Sequence, residues 1–179
     1  MVTYHPILPF PSDIDRAYFG AWLSGFTDGE GCFAASLRTQ SNRNPTPGCR
    51  FSISQRDDDR HIIELIQSFL QVGKIDSHPV NKVNINRKPQ ARYFVDDLDS
   101  LVSVVIPNFE KYPLVAKKSC DFIIWSKLVL LSYAVNQRPR PRRRTDSRWA
   151  VEELGLAKYL VDALHEIRAY QTNCPTGNS

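Results

Sequence analysis

The chain has 179 residues, 42% of them hydrophobic and 23% charged, and a formal charge of +4. That is enough for one packed domain and too apolar for a disordered chain, while the mild positive charge makes the placement of charges matter more than their sum. No run of about 18 apolar residues occurs, which excludes a spanning helix, and residues 1–12 lack the charged n-region of a secretory signal.

In chain order, residues 1–12 read as a Pro-rich arm, and Asp13 or Asp15 is placed to cap a first helix running to about Gly29. Phe33, Ala35 and Leu37 alternate with Ala34, Ser36 and Arg38, a strand pattern. The Asn, Pro and Gly of residues 41–48 predict a loop, and Phe51, Ile53 and Gln55, alternating with Arg50, Ser52 and Ser54, predict a second strand. Asp57, Asp58 and Asp59 open a helix to about Gln71, where they suit capping and the helix dipole better than metal binding. A third strand is expected from Val72 to His78 and a fourth from Gln90 to Asp96. A short helix from Asp97 should stop before Pro107, and Pro113 should open one ending near Val135. The domain plan is therefore an arm (1–12), a core (13–135), a basic linker (136–149), a C-terminal helix (150–171) and a tail (172–179). The fold class is α+β, in the order helix, two strands, helix, two strands, then helices.

Ala17, Ala21, Gly25 and Gly29 recur every four residues and share one face of the first helix. Such a face lets a second helix approach backbone to backbone. Two copies packed this way bring both Glu30 carboxylates to one end, where they repel unless a cation lies between them. The four cysteines, Cys32, Cys49, Cys120 and Cys174, are too dispersed for zinc and form no CxxC. Reduced, mostly buried thiols are expected, in an intracellular, soluble protein whose compartment stays open.

Residues Leu23 to Gly31, LSGFTDGEG, resemble the LAGLIDADG signature of homing endonucleases, and Cys32-Phe33 with the following strand continue the likeness. Tyr112 to Phe122 resemble a second family pattern, PLxxxKxxDF, whose lysine falls at Lys118; its neighbour Lys117 remains an alternative. The resemblance covers roughly Ala17 to Val135, with Ser24, Thr27 and Glu30 as the departures from the signature. It implies an αββαββα fold with a saddle-shaped, four-stranded antiparallel sheet that reads DNA. It also implies that Glu30 and the Gly29 carbonyl bind the catalytic metal, that Lys118 stabilises charge at the scissile phosphate, and that Gln55 positions water. The dimer interface then involves Ala21, Trp22, Ser24, Gly25 and Asp28, with Asp28 organising the helix ends rather than binding metal. Mg²⁺ suits carboxylate, carbonyl, water and phosphate oxygens; Mn²⁺ or Ca²⁺ is expected to occupy the same site, Ca²⁺ without cleavage.

Ser36, Arg38, Gln40, Arg50, Ser52 and Ser54 lie on the polar face of the first strand pair, and Lys74, Asp76, His78 and Arg92 on that of the second. Arg, Gln and Ser suit base edges in the major groove. Arg43 and Lys82 in the hairpin loops are placed for phosphate contacts, and the run containing Arg140, Arg142 and Arg143 for the DNA backbone. One signature and no internal repeat predict a homodimer on a nearly palindromic duplex site of roughly 20 bp. The expected activity is Mg²⁺-dependent cleavage of double-stranded DNA with short 3′ overhangs. The rivals are an RNA-binding intron maturase and a non-cleaving DNA-binding protein.

Overall fold

The computed structural model describes residues 6–38, 46–78, 88–139 and 147–169. Helix α1 spans Arg16–Glu30, and Asp15 caps it by accepting the Tyr18 N–H at 2.6 Å. It buries Phe19, Gly20, Leu23, Ser24 and Thr27 along one face. Strand β1 (Gly31–Arg38) follows with no turn between. The Gly31 N–H bonds the Thr27 carbonyl. A Cβ at position 31 would lie 2.4 Å from the Thr27 methyl and 2.8 Å from its carbonyl oxygen, so glycine is required where helix becomes strand.

Strand β1 pairs antiparallel with β2 (Thr46–Arg56) in register Phe33↔Phe51. Strand β4 (Gln90–Val95) pairs with β2, and β3 (Lys74–His78) with β4, so the sheet order is β1-β2-β4-β3. The period-two pattern holds: Phe33, Ala35, Cys49, Phe51, Ile53, Ala91, Tyr93 and Val95 are buried on one face. Helix α2 (Arg60–Leu70) packs on that face through Ile63, Ile66, Phe69 and Leu70.

Several boundaries depart from expectation for local reasons. Thr46 to Gly48, expected as loop, are strand. Pairing with β4 begins only at Phe51, so Pro47 faces β1 alone and its missing N–H is tolerated as on an edge. Strand β3 starts at Lys74 rather than Val72, because Gln71 (φ 58°) and Gly73 (φ 86°) turn the chain out of α2 in left-handed conformations. Asp57–Asp59 form a 3₁₀ turn without a side-chain cap bond; their carboxylates meet arginines instead, Asp57 with Arg60 at 2.9 Å and Asp58 with Arg56. The thiols are also less buried than expected: Cys49 is buried, whereas Cys32 and Cys120 are exposed.

After β4, Asp97 caps α3 (Leu98–Ser100). The helix then widens into a π-helical stretch, Leu101–Val105, and continues as α4 (Ile106–Lys111) through Pro107. The Ile106 N–H bonds Leu101 O, five residues back, and Pro107 falls in the first turn of α4, where a missing donor costs little. Helix α5 runs Lys118–Asn136, five residues later than Pro113, and α6 runs Val151–Glu166.

The core is aromatic. The Phe33 ring centroid lies between 5.0 and 5.5 Å from those of Phe51, Phe109, Phe122 and Trp125. Trp125 Nε1 donates to Ala34 O at 3.2 Å, fixing α5 to β1. Ala157, Leu160, Val161 and Leu164 bring α6 into the same core. No helix among the described residues is long and apolar enough to cross a membrane.

Two predictions follow from this packing. An added Cβ at buried Gly20 would stand 2.3 Å from the Tyr112 ring, so Gly20→Ala should cost about 1–3 kcal/mol of overpacking in urea unfolding. At the start of α6, Glu153 accepts from Arg138 Nη1 at 2.8 Å and from the Ala150 N–H at 2.9 Å. The Arg138 hydrogen bond, then the Ala150 N–H, hold its carboxyl below the usual carboxylate range. A lowered folded value means that the contribution is present above the unfolded value and is lost as pH falls through the folded one. Hydrogen-exchange protection of the first turn of α6 should therefore decline on acidification, and Glu153→Gln should remove that dependence.

Candidate functional site

The site forms at the foot of α1, where Gly29 and Glu30 end the helix exposed. The last carbonyls of any helix lack intrahelical donors and carry the negative end of its dipole. Here Lys118, in the first turn of α5, supplies the missing donor: its Nζ donates to Asp28 O at 2.9 Å and to Gly29 O at 3.0 Å. Asp28 returns the connection, its Oδ2 accepting the N–H groups of Val115 and Ala116 at 2.8 and 3.1 Å. The segment entering α5 is thus stitched to α1 in both directions. Of the two candidate lysines, Lys118 reaches the signature helix, while Lys117 occupies the exposed N-cap position of α5. The Asp28 carboxylate is thus spent on the segment that enters α5.

A hollow of about 390 Å³ opens beside this stitch, lined by Asp28, Gly31, Cys32, Lys117, Lys118 and Arg168 among others. Gln55 lies on β2 two residues past the pair Gly31↔Ile53, on the part of β2 that outruns β1 past the foot of α1. It is half-buried, on the same strand parity as Phe51 and Ile53, and opposite Ala91 on β4.

The donor set bears on metal binding. Among the described residues no three His, Cys, Asp or Glu side chains are grouped to hold an ion. The exposed oxygen donors at the foot of α1 are the Glu30 carboxylate and the Gly29 carbonyl, one of whose two lone pairs is engaged by Lys118, while the neighbouring Asp28 is half-buried with Oδ2 held by two N–H groups. Those oxygens are the kind a hard divalent ion takes, and they leave most of its coordination shell to other ligands.

The small-residue face of α1 is uncovered. Ala17, Ala21, Gly25 and Gly29 are all exposed, and nothing lies within 4 Å of a Cβ built on Gly25 or Gly29. Trp22 is half-buried and stacks on Phe26 at 4.8 Å. Ser24, expected at the interface, is a correction: it is buried at 4% exposure, and its hydroxyl donates to Tyr112 O at 2.5 Å. It faces inward because it follows Leu23 on the helix's buried stripe, one turn after Gly20.

Across the sheet, the register sets Ser36, Arg50, Ser52, Ser54, Lys74, Asp76 and Arg92 on the face opposite the core, with Arg38 and His78 at positions of the same parity. Ser36 and Lys74 are exposed and the others of known burial are half-buried. Arg50 and Arg92 are already tied. Arg92 grips Asp76 with two hydrogen bonds, at 2.7 and 3.2 Å, and Arg50 donates to Asp96 at 3.0 Å. Both guanidinium groups lie over the ring of Phe94, 4.8 Å from its centroid for Arg50 and 5.5 Å for Arg92. Arg50 Nε has no hydrogen-bond partner among the described residues. Sequence reading missed Phe94 and Asp96; an apolar side chain at a polar-face position of β4 was the available signal. Arg56 and Arg60 are engaged by Asp57, Asp58 and Glu64. Gln40, Arg43, Lys82, Arg140, Arg142 and Arg143 lie outside the described residues.

Comparison with known proteins agrees with this architecture. Residues 23–129 match the family described as LAGLIDADG endonuclease. The probable intron-encoded endonuclease 2 of Neurospora crassa is 30% identical over 118 residues, covering 62% of this chain and 24% of that one. Among solved structures, the I-SmaMI LAGLIDADG homing endonuclease bound to cleaved DNA superposes with a TM-score of 0.67 at 23% identity, over 84% of this chain and 45% of that one. The LAGLIDADG meganuclease I-AabMI bound to uncleaved DNA gives a TM-score of 0.54 at 31% identity, over 69% of this chain and 38% of that one. The chain therefore spans from about a quarter to about half the length of these relatives. With the family's sequence matched from the signature helix through most of α5, and its α+β fold reproduced, this chain belongs to the LAGLIDADG endonuclease family.

Proposed function

We propose that this chain is one unit of a site-specific, double-strand DNA endonuclease, working as a homodimer with a divalent cation, Mg²⁺ in the first instance. The observation that carries the reading is the pair of hydrogen bonds from Lys118 Nζ to the carbonyls of Asp28 and Gly29. They hold a cation near an exposed carboxylate, Glu30, which has no ion pair or side-chain hydrogen bond among the described residues. An acid able to ligate a metal and an ammonium able to meet a phosphate are thereby fixed together by two separate sequence motifs.

The exposed stripe supports pairing. Glycine in a helix interior costs about 1 kcal/mol relative to alanine, and nothing inside the protomer requires its absence of a side chain at Gly25. Close approach of a second signature helix supplies the reason, and that approach brings two Glu30 carboxylates together. A divalent ion held by these residues would supply a polarised water and neutralise charge on the phosphate. The chain's own residues do the rest. Glu30 and Gly29 O hold the ion, Lys118 offers positive charge to the phosphate, and Gln55 orients water from the end of β2. The open sheet face carries the duplex, with Arg50 and Arg92 pre-oriented on Phe94 to read base edges. The product that the family resemblance implies is a double-strand break with short 3′ overhangs.

Two experiments test this. In a nicking assay on target DNA selected from a randomised pool, the parent should cut with Mg²⁺, and Glu30→Gln should lose at least about 100-fold in rate while binding DNA nearly as well. Binding of RNA or DNA by the parent without any strand scission would favour the maturase or regulator reading. In sedimentation equilibrium, Gly25→Gln should shift the protein toward monomer while its circular dichroism stays that of the parent. A substituted protein that associates as tightly as the parent would remove α1 from the interface.

A further inference from the structure

Two segments must keep a fixed separation for the proposed site to work: the end of α1 running into β1, which carries Glu30, and the first turn of α5, which carries Lys118. A single side chain from the far end of the chain touches both. Arg168, just past α6, donates from Nε to Asp121 Oδ2 at 2.7 Å and from one Nη to Phe33 O at 2.6 Å. Phe33 lies three residues beyond Glu30 on β1, and Asp121 lies three residues beyond Lys118 on α5. Asp121 is buried at 7% exposure, and Arg168 and Asp121 line the same hollow as Lys118 and Asp28.

We propose that Arg168 is a positioning residue of the cleavage centre: its guanidinium clamps the Glu30-bearing and Lys118-bearing segments together, which makes the C-terminal helix part of the site's framework. This rests on the reading that Glu30 and Lys118 act as one centre. The physical case is geometric. A planar guanidinium presents donors in fixed directions, so one group can bind a carboxylate and a carbonyl at once and hold their angle. A buried carboxylate pins its partner more firmly than a surface ion pair does, because leaving it unpaired is costly. Asp121 is one helical turn from Lys118 on a rigid element, so rotation or sliding of α5 that moved one would move the other.

The test uses the full chain with Arg168→Gln, Arg168→Lys, Asp121→Asn and the Asp121→Asn, Arg168→Gln double variant, with Glu30→Gln as the control for chemistry. Hydrogen exchange, which needs neither DNA nor metal, should rise about tenfold in Arg168→Gln at the amides of residues 31–34 and 115–121 and stay unchanged in α2. Single-turnover cleavage at saturating protein should slow about 10- to 100-fold with little change in DNA affinity, and Arg168→Lys should recover part of that rate. The double variant leaves no stranded carboxylate, so its thermal midpoint should return toward the parent's while its cleavage stays slow. Recovery of the rate together with the midpoint would reduce Arg168 to a stability role and overturn the proposal. Unchanged exchange at both segments in Arg168→Gln would overturn it as well. A parent chain that cuts no DNA defeats the cleavage reading separately, and the exchange comparison still decides what Arg168 holds in place.

Discussion

The architecture depends on how the signature helix ends. A helix terminus leaves carbonyls unpaired and concentrates negative potential, and this one is further burdened by a glutamate. The chain answers with an ammonium from Lys118 on the carbonyls of Asp28 and Gly29, and with the Asp28 carboxylate on the amides of Val115 and Ala116. The exchange of donors and acceptors is reciprocal, so neither segment can shift without exposing the other's polar groups. Gly31 completes it by letting the chain leave α1 straight into β1 without a turn.

The sheet's open face shows a related economy. Arginines on an exposed strand would normally sample many rotamers, and ordering them on a ligand costs entropy. Here the Phe94 ring lies under two guanidinium groups, while Asp76 and Asp96 take up their donors. Arg50 and Arg92 are thereby oriented and paired with carboxylates. Such a face favours shape and hydrogen-bond matching over general attraction to polyanions.

Much of the fold was legible in the sequence because it is written in periods. Alternation in β1 and β2 identified the core-facing Phe33, Phe51 and Ile53. The misreadings cluster where a local signal was overruled by a neighbour. Pro47 marks a turn in isolation, yet it is tolerated in β2 because pairing with β4 starts further along. Pro107 marks a helix stop, yet a π-helical turn carries the helix past it. Asp57 and Asp58 resemble helix caps, yet arginines three and two residues away claim them. Ser24 belongs to a signature associated with pairing, yet its hydroxyl is taken by Tyr112 O.

The sequence by itself determined which side chains each element offers to each face: the small stripe on α1, the acid at its foot, and the polar row on the strands. Those follow from the 3.6- and 2-residue repeats, which depend only on backbone geometry. The tertiary structure decided which offers are taken. That Lys118 rather than Lys117 meets the signature helix, that Asp28 binds amides of a segment 87 residues away, and that Arg168 joins Asp121 to Phe33 all depend on where α5 and α6 dock. Docking is set by how Trp125, Phe122 and Phe109 close around Phe33, and close packing of that kind is a property of the assembled shapes that no local repeat encodes.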